Sequence, residues 1–107
     1  MEVKVVQREL LGKAFMPGGA LARYQKGKDA YEIFLGKLPT PTDSAIVLAH
    51  WEQVLRNLKE VRSLDAYYGV DANRPIYVFA KGPRVAGIAG LPEKEADQQA
   101  RILAGRL

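Results

Sequence analysis

His50 is the only histidine in a chain of 107 residues that holds no cysteine, so any mechanism that needs an imidazole rests on this side chain. Helical spacing places His50 at the margin of an apolar stripe, beside Trp51. A general base there needs a carboxylate such as Asp43 or Glu52 to orient it, yet both fall mostly on other faces of the helix. An enzyme with His50 as general base is one hypothesis, but the sequence favours a partly exposed packing residue.

The sequence predicts no metal site. Without cysteine there is no zinc–sulfur site, and with one histidine a transition-metal site would need mainly carboxylate ligands. No pair of carboxylates has the spacing that such a site needs. Asp71-Ala72-Asn73 resembles the start of a calcium loop, but Arg74-Pro75 breaks that motif.

Gly87 and Gly90 lie between a predicted strand and a helix start, where free backbone N–H groups can hold an anion. Their spacing matches neither phosphate-binding glycine motif, and the acidic Glu93, Glu95 and Asp97 that follow would repel a phosphate. We therefore predict no cofactor. Glycine in a strand usually marks a close approach to the backbone, which we interpret as contact with a helix or a second subunit rather than a ligand.

Tyr67 and Tyr68, followed by Arg74, form an unusual cluster in a predicted connector. Tyrosine and arginine are typical of contact surfaces, although a loop that covers the end of a core has the same composition. Together with Gly87 and Gly90, these residues form the predicted set of ligand or partner contacts.

Two predicted hairpin tips are basic. Lys26 and Lys28, with Arg23 just before them, lie at one tip, and Lys81 and Arg84 lie at the other. If both tips share one end of the sheet, they form a cationic rim for an RNA or DNA backbone. The net charge of +4 supports only weak polyanion binding, and the alternative is solvated turns whose lysines prevent edge-to-edge aggregation.

The composition is that of an ordinary globular protein, with 48% apolar and 26% charged residues. The length predicts a single domain over residues 1–107. The charged residues Glu2 and Lys4 stand where a signal peptide would be apolar, and no apolar run is long enough to span a membrane. We therefore expect a soluble cytoplasmic protein without membrane contact.

Alternation of apolar and polar residues predicts strands over 3–11, 20–25 and 30–35, and a hairpin over 76–90. The predicted turns lie at 26–29 and 82–83, residues 16–19 read as a turn or mobile loop, and 63–75 reads as a connector. Apolar residues at three- and four-residue steps predict a helix over 44–64, capped near Thr40 or Thr42. A second helix begins at Pro92, which suits a first helical position.

The predicted order is β-β-β-α-β-β-α, an α+β domain with a mainly antiparallel five-stranded sheet and two helices packed on it. A small core favours association, so we expect a homodimer through the strand with Gly87, the last helix and Leu107. The favoured function is a non-catalytic interaction or small-ligand-binding module acting as a homo-oligomer. Nucleic-acid binding through the basic tips is the alternative, and an enzyme using His50 is the third hypothesis.

Overall fold

The computed structural model describes residues 2–107, apart from the side chain of Lys26, and forms them into seven strands and two α-helices. The elements, in chain order, are β1 (Glu2–Arg8), β2 (Pro17–Lys26), β3 (Asp29–Lys37), α1 (Pro41–Val54), β4 (Arg56–Val61), β5 (Ala66–Asp71), β6 (Arg74–Lys81), β7 (Arg84–Ala89) and α2 (Glu93–Arg106).

The strands form one sheet in the order β1-β2-β3-β7-β6-β5-β4, and every neighbouring pair is antiparallel. The predicted α+β class, the antiparallel sheet and the two helices agree with this structure. The predicted count of five strands is wrong, because β4 and β5 were assigned to a helix and a connector. Since β7 lies at the centre of the sheet and is covered on both faces, it cannot make the subunit contact expected for it.

The helix predicted over 44–64 ends at Val54, and Leu55 already has extended backbone angles (φ −72°, ψ 132°). The apolar spacing continues past this point, but Leu58 is 40% exposed in an edge strand. The backbone of β4 pairs instead with β5, with Glu60 opposite Tyr67. Cross-strand pairing therefore overrides a helical period that the local sequence alone supports.

The connector predicted over 63–75 contains β5, which lies between β4 and β6 and is paired on both sides. Tyr67, Tyr68 and Val70 are strand-forming residue types. The breaker predicted at 16–19 is also wrong in part, because β2 begins at Pro17. Proline is tolerated there because it is the first residue of the strand.

Several local predictions are confirmed. Gly27 and Gly82 have positive φ (61° and 57°) at the two predicted hairpin turns. Thr40 caps α1, since its hydroxyl oxygen accepts a 3.2 Å hydrogen bond from the backbone N–H of Asp43, and Pro41 occupies the first turn. The helix predicted to begin at Pro92 begins one residue later, at Glu93, with Pro92 in the N-cap position and no side-chain capping hydrogen bond.

The two helices cover opposite faces of the sheet. Successive residues of a strand point to opposite sides, so β6 and β7 contribute side chains to both cores. We name the two sides the α1 face and the α2 face. The buried core of the α1 face consists of Leu10, Met16, Phe34, Val47, Trp51, Leu55, Ile76, Val78, Val85 and Ala89. The buried core of the α2 face consists of Ala66, Tyr77, Phe79, Ala86, Ile88, Leu91, Ala96, Ala100 and Ala104.

Candidate ligand-binding cleft

A cleft of about 340 Å³ lies on the α1 face between the first half of α1, strands β4 to β6 and the turn that joins β6 to β7. Its lining consists of Pro41, Ser44, Ala45, Leu48, Glu60, Asp65, Ala66, Tyr67, Ala80 and Gly82. A concave site that combines an apolar floor with a few polar groups is the usual form of a small-molecule site.

The first turn of α1 forms one wall of the cleft and is fastened to the β6–β7 turn. The hydroxyl of buried Ser44 lies 2.6 Å from the carbonyl oxygen of Gly82 and 2.8 Å from that of Pro41. The backbone N–H of Leu38 donates to the carbonyl oxygen of Pro83 at 2.7 Å. These bonds hold the wall in a fixed position without any contribution from a ligand.

Small side chains create the open space of the cleft. The large buried residues of α1, Val47 and Trp51, lie beyond its first turn, whereas two residues that line the cleft, Ala45 of α1 and Ala80 of β6, are alanines. An alanine pair leaves a gap that larger side chains would close. Leu48 supplies apolar surface at the same wall.

The polar part of the cleft is acidic. Glu60 comes from β4, and Asp65 follows a short 3-10 turn with φ 49°. The described lining residues include these two acids and no lysine or arginine, although the whole chain carries a net charge of +4. The side chain of Arg62 approaches Glu60 only to 3.9 Å and is itself 87% exposed, so it neutralises the cleft weakly.

Tyr67 lies opposite Glu60 in the β4–β5 pair and also lines the cleft. Partial burial raises the pKa of Tyr67 above its usual range, and the negative charges of Glu52, Glu60 and Asp65 raise it further. The phenol therefore stays protonated at neutral pH and can donate a hydrogen bond to a carboxylate or to a ligand.

The cleft lacks an activated nucleophile among the residues that the structure describes. Ser44 has a single hydroxyl proton, which is directed to a backbone carbonyl oxygen. His50 is exposed and stacks on Phe15, with ring centroids 5.1 Å apart. The carboxylate of Asp43 accepts a 2.9 Å hydrogen bond from Thr40. The arrangement required for His50 as a general base, an imidazole and a carboxylate in one cleft, is therefore not formed.

The predicted contact residues separate in the structure. Tyr67 lines the cleft on the α1 face, whereas Tyr68 is on the α2 face with its ring centroid 6.2 Å from that of Tyr77. Arg74 lies at the far end of β6, where it binds Glu32 at 2.7 Å. Of the predicted contact set, Tyr67 alone lines the cleft.

The close approach predicted at the glycines comes from the chain itself. A Cβ at Gly87 would lie 2.8 Å from the ring of Phe34 and would also overlap the carbonyl oxygen of Tyr77. Gly90 has φ 105°, and its N–H donates to the carbonyl oxygen of Pro75 at 2.9 Å. Core packing and chain geometry account for both glycines.

The two basic tips lie at opposite ends of the sheet. Lys37 is opposite Arg84 in the β3–β7 pair, while the β2–β3 turn lies at the other end of the nine-residue β3, about 27 Å away. Lys28 is exposed at that turn, and the side chain of Lys26 lies outside the described residues. The single cationic rim does not form, and nucleic-acid binding stays a prediction.

Two of the basic residues are engaged within the chain. Lys81 donates to the carbonyl oxygen of Ala104 at 2.6 Å, and Arg23 binds Glu32 at 3.2 Å. Contacts of this kind compete with binding to a phosphate backbone.

Glu32, a buried carboxylate that is only 8% exposed, is not among the predicted site residues. Burial alone would raise its pKa, but hydrogen bonds and charge from Arg74 and Arg23 outweigh burial, so the pKa of Glu32 lies below its usual value. This group joins β2, β3 and β6 as an ion-paired cluster. The sequence signal was the position of Glu32, two residues before Phe34 in the same strand, because side chains two residues apart point to the same face.

Glu60 and Asp65 are also not among the predicted site residues, because they fall in the predicted helix and the predicted connector. Among the described residues, no three histidine or acidic side chains converge in a way that holds a metal ion. No helix in residues 2–107 has the length and apolar character needed to cross a membrane.

Comparisons of the chain with protein-family models, with curated proteins and with solved structures find no match.

Proposed function

We propose that the protein is a non-catalytic module that binds a small organic molecule in the cleft beside α1. The observation that carries the proposal is the cleft itself, whose volume of about 340 Å³ is in the range of small-molecule sites. Its wall is held in place by Ser44, and its space is formed by Ala45 and Ala80.

The proposed ligand class is an organic cation with a short apolar body. Glu60 and Asp65 supply negative charge at the cleft, and Tyr67 supplies a hydrogen-bonding hydroxyl. The apolar body would lie against Leu48 and the alanines. Because both carboxylates are exposed, each charge contact is modest and sensitive to salt.

Three six-carbon compounds with cationic, neutral and anionic head groups test this proposal: hexylamine, hexanol and hexanoate. Burying about five methylene groups contributes about 4 kcal/mol, which gives a Kd on the order of 1 mM. We expect hexylamine to bind about fivefold more tightly than hexanol because of the two carboxylates, and hexanoate to bind most weakly. NMR titration measures the affinities, with shifts expected at the amides of Ala45 and Ala80.

Two variants locate the site and its charge preference. The double substitution Glu60→Gln with Asp65→Asn removes the difference between hexylamine and hexanol, since both acids become neutral amides. Ala45→Trp fills the cleft and abolishes binding of all three probes. Ile46→Trp is the matched control, because Ile46 is an exposed neighbour on α1 that does not line the cleft.

Absence of shifts at the cleft for all three probes would contradict the proposed site. Hexanoate binding as tightly as hexylamine would contradict the cation preference and leave the site itself supported. Equal binding by the Ala45→Trp variant would show that the probes bind elsewhere.

The proposal includes a cytoplasmic location. A chain without cysteine has no need of an oxidising compartment for disulfide formation. Subcellular fractionation with an antibody against the protein measures the location, and recovery outside the cytoplasmic fraction would refute this part.

A further inference from the structure

The two edges of the sheet differ in regularity. On β4, the register with β5 shifts between Arg56 and Lys59, Asn57 has φ 54°, and Lys59 is tied to Glu93 of α2 at 2.9 Å. Irregular backbone and a covering side chain are common ways to prevent pairing at an edge. On β1, a single register with β2 extends from Glu2 to Arg8, and no strand of the described chain covers its outer side.

Strand β1 also exposes apolar side chains. Val3 is 61% exposed and Val5 is 81% exposed, and both point to the α2 face. They lie opposite Ala22 and Ala20 of β2, so the apolar surface continues into the sheet. A regular edge with exposed valines is a template for pairing with another strand.

We infer that β1 is a dimer interface, in which two copies of the chain pair their β1 strands antiparallel about a twofold axis at Val5. The pairing would join two seven-stranded sheets into one continuous sheet. The α2 faces of the two copies then lie on the same side, with Val5 of one copy in contact with Val5 of the other across the axis.

The charges of β1 select this register. With Val5 opposite its own copy, Glu2 lies opposite Arg8 of the second copy, and symmetry provides this pair of opposite charges twice. Val3 then lies opposite Gln7. Cross-strand pairs of opposite charge stabilise a sheet, and like charges destabilise it.

The neighbouring registers place like charges together. A shift of two residues in one direction puts Lys4 opposite Lys4 of the second copy, and a shift in the other direction puts Lys4 opposite Arg8. A shift of one residue brings side chains from opposite faces into register, which the pleat forbids. The register at Val5 is therefore the charge-complementary one, and a second copy is the occupant that supplies these charges.

Reversal of the charges tests the inference by a double-mutant cycle. Sedimentation equilibrium should show that the wild-type protein is a dimer. E2R and R8E should each weaken the dimer at least about tenfold, since two attractive pairs become repulsive, and the E2R/R8E double variant should recover most of the affinity. Glu2 and Arg8 are exposed, so circular dichroism should show an unchanged fold in all three variants. Glu2 also lies opposite Arg23 of β2, so E2R should lower the unfolding temperature slightly in the monomer as well.

A second variant changes Val5, the residue on the proposed twofold axis. V5D places two carboxylates opposite each other and should give a monomer. The matched control is L58D on β4, which places an aspartate at an exposed apolar position of the other edge and should leave the dimer intact. Hydrogen exchange of the wild-type protein should show concentration-dependent protection in β1 and none in β4, a readout that needs no variant.

A wild-type protein that stays monomeric at every concentration would overturn the inference. So would a dimer that V5D leaves intact, or a double variant that is as weak as the single ones. These outcomes do not bear on the cleft, because the edge at β1 and the cleft beside β4 share no residues.

Discussion

The two helices bury different kinds of side chain against the sheet. On the α1 face, α1 supplies the large side chains of Val47 and Trp51. The sheet adds both large and small residues to this face: Phe34, Ile76, Val78, Val85, Gly87 and Ala89. On the α2 face, the helix supplies Ala96, Ala100 and Ala104, and the sheet supplies Tyr77, Phe79 and Ile88.

This difference explains why the cleft is on the α1 face. The large residues of α1 pack beyond its first turn, so the alanine that follows Ser44 faces a gap. The alanines of α2 recur every four residues and form a continuous small-residue stripe, which lets the whole helix pack evenly on aromatic side chains. A helix that carries its bulk at one end leaves space at the other end.

Truncation of one buried side chain on each helix should give the largest difference in stability between the two faces. Trp51→Ala removes a fully buried ring that packs edge-on against Phe15 at 5.3 Å and donates to the sulfur of Met16 at 3.2 Å. We expect a loss of about 4 kcal/mol in the free energy of unfolding. Ala100→Gly on α2 should cost about 1 kcal/mol, mainly from helix propensity. Urea unfolding measures both, and equal losses would refute the contrast between the faces.

Enlargement of the central strand should have a smaller effect. Gly87→Ala drives a methyl group into the ring of Phe34 and the carbonyl oxygen of Tyr77, and the backbone atom cannot move aside. We expect a loss of about 2 kcal/mol. Gly105→Ala is the control, since that position in α2 has free space and should gain up to about 1 kcal/mol. A neutral Gly87→Ala variant would show that the α1 face is loosely packed.

The smallest expected effect concerns one ion-paired carboxylate on each face, that of Glu32 and that of Asp97. Glu32 binds two arginines on the α1 face, and Asp97 binds Arg101 and accepts a 2.6 Å hydrogen bond from Tyr77 on the α2 face. Hydrogen bonds and charge lower the pKa of both carboxyls in the fold. Their contribution to stability is therefore present above the unfolded-state pKa of about 4, and it is lost as the pH falls through the lower folded-state pKa.

Glu32→Gln and Asp97→Asn should each flatten the acid arm of the stability curve. The Glu32 variant should do so more, because that carboxyl is more deeply buried and has two cationic partners. Thermal unfolding between about pH 2 and pH 7 measures the slopes. Unchanged slopes in both variants would show that neither carboxyl is linked to folding.

Short-range sequence signals predicted a helix cap, a helix start and two hairpin turns. The cap at Thr40, the start of α2 after Pro92 and the turns at Gly27 and Gly82 each depend on a few adjacent residues. Strand β4 was not predicted, because its sequence is compatible with a helix and its hydrogen-bond partners lie in β5.

The candidate site was predicted only in part. Tyr67 was recognised from its residue type, but Glu60 and Asp65 meet it only after β4 and β5 pair. The wrong helix boundary therefore hid the acidic side of the cleft. The outward valines of β1 are visible in the sequence, but their exposure depends on which strands lie beside them.

The sequence by itself determined the α+β class, the turns at Gly27 and Gly82 and the cap at Thr40. The tertiary structure alone decided the strand order, the separation of the two basic tips and the meeting of Tyr67 with its acidic neighbours. The physical reason is that caps and turns are satisfied within a few residues, whereas a strand finds its hydrogen-bond partners in distant parts of the chain.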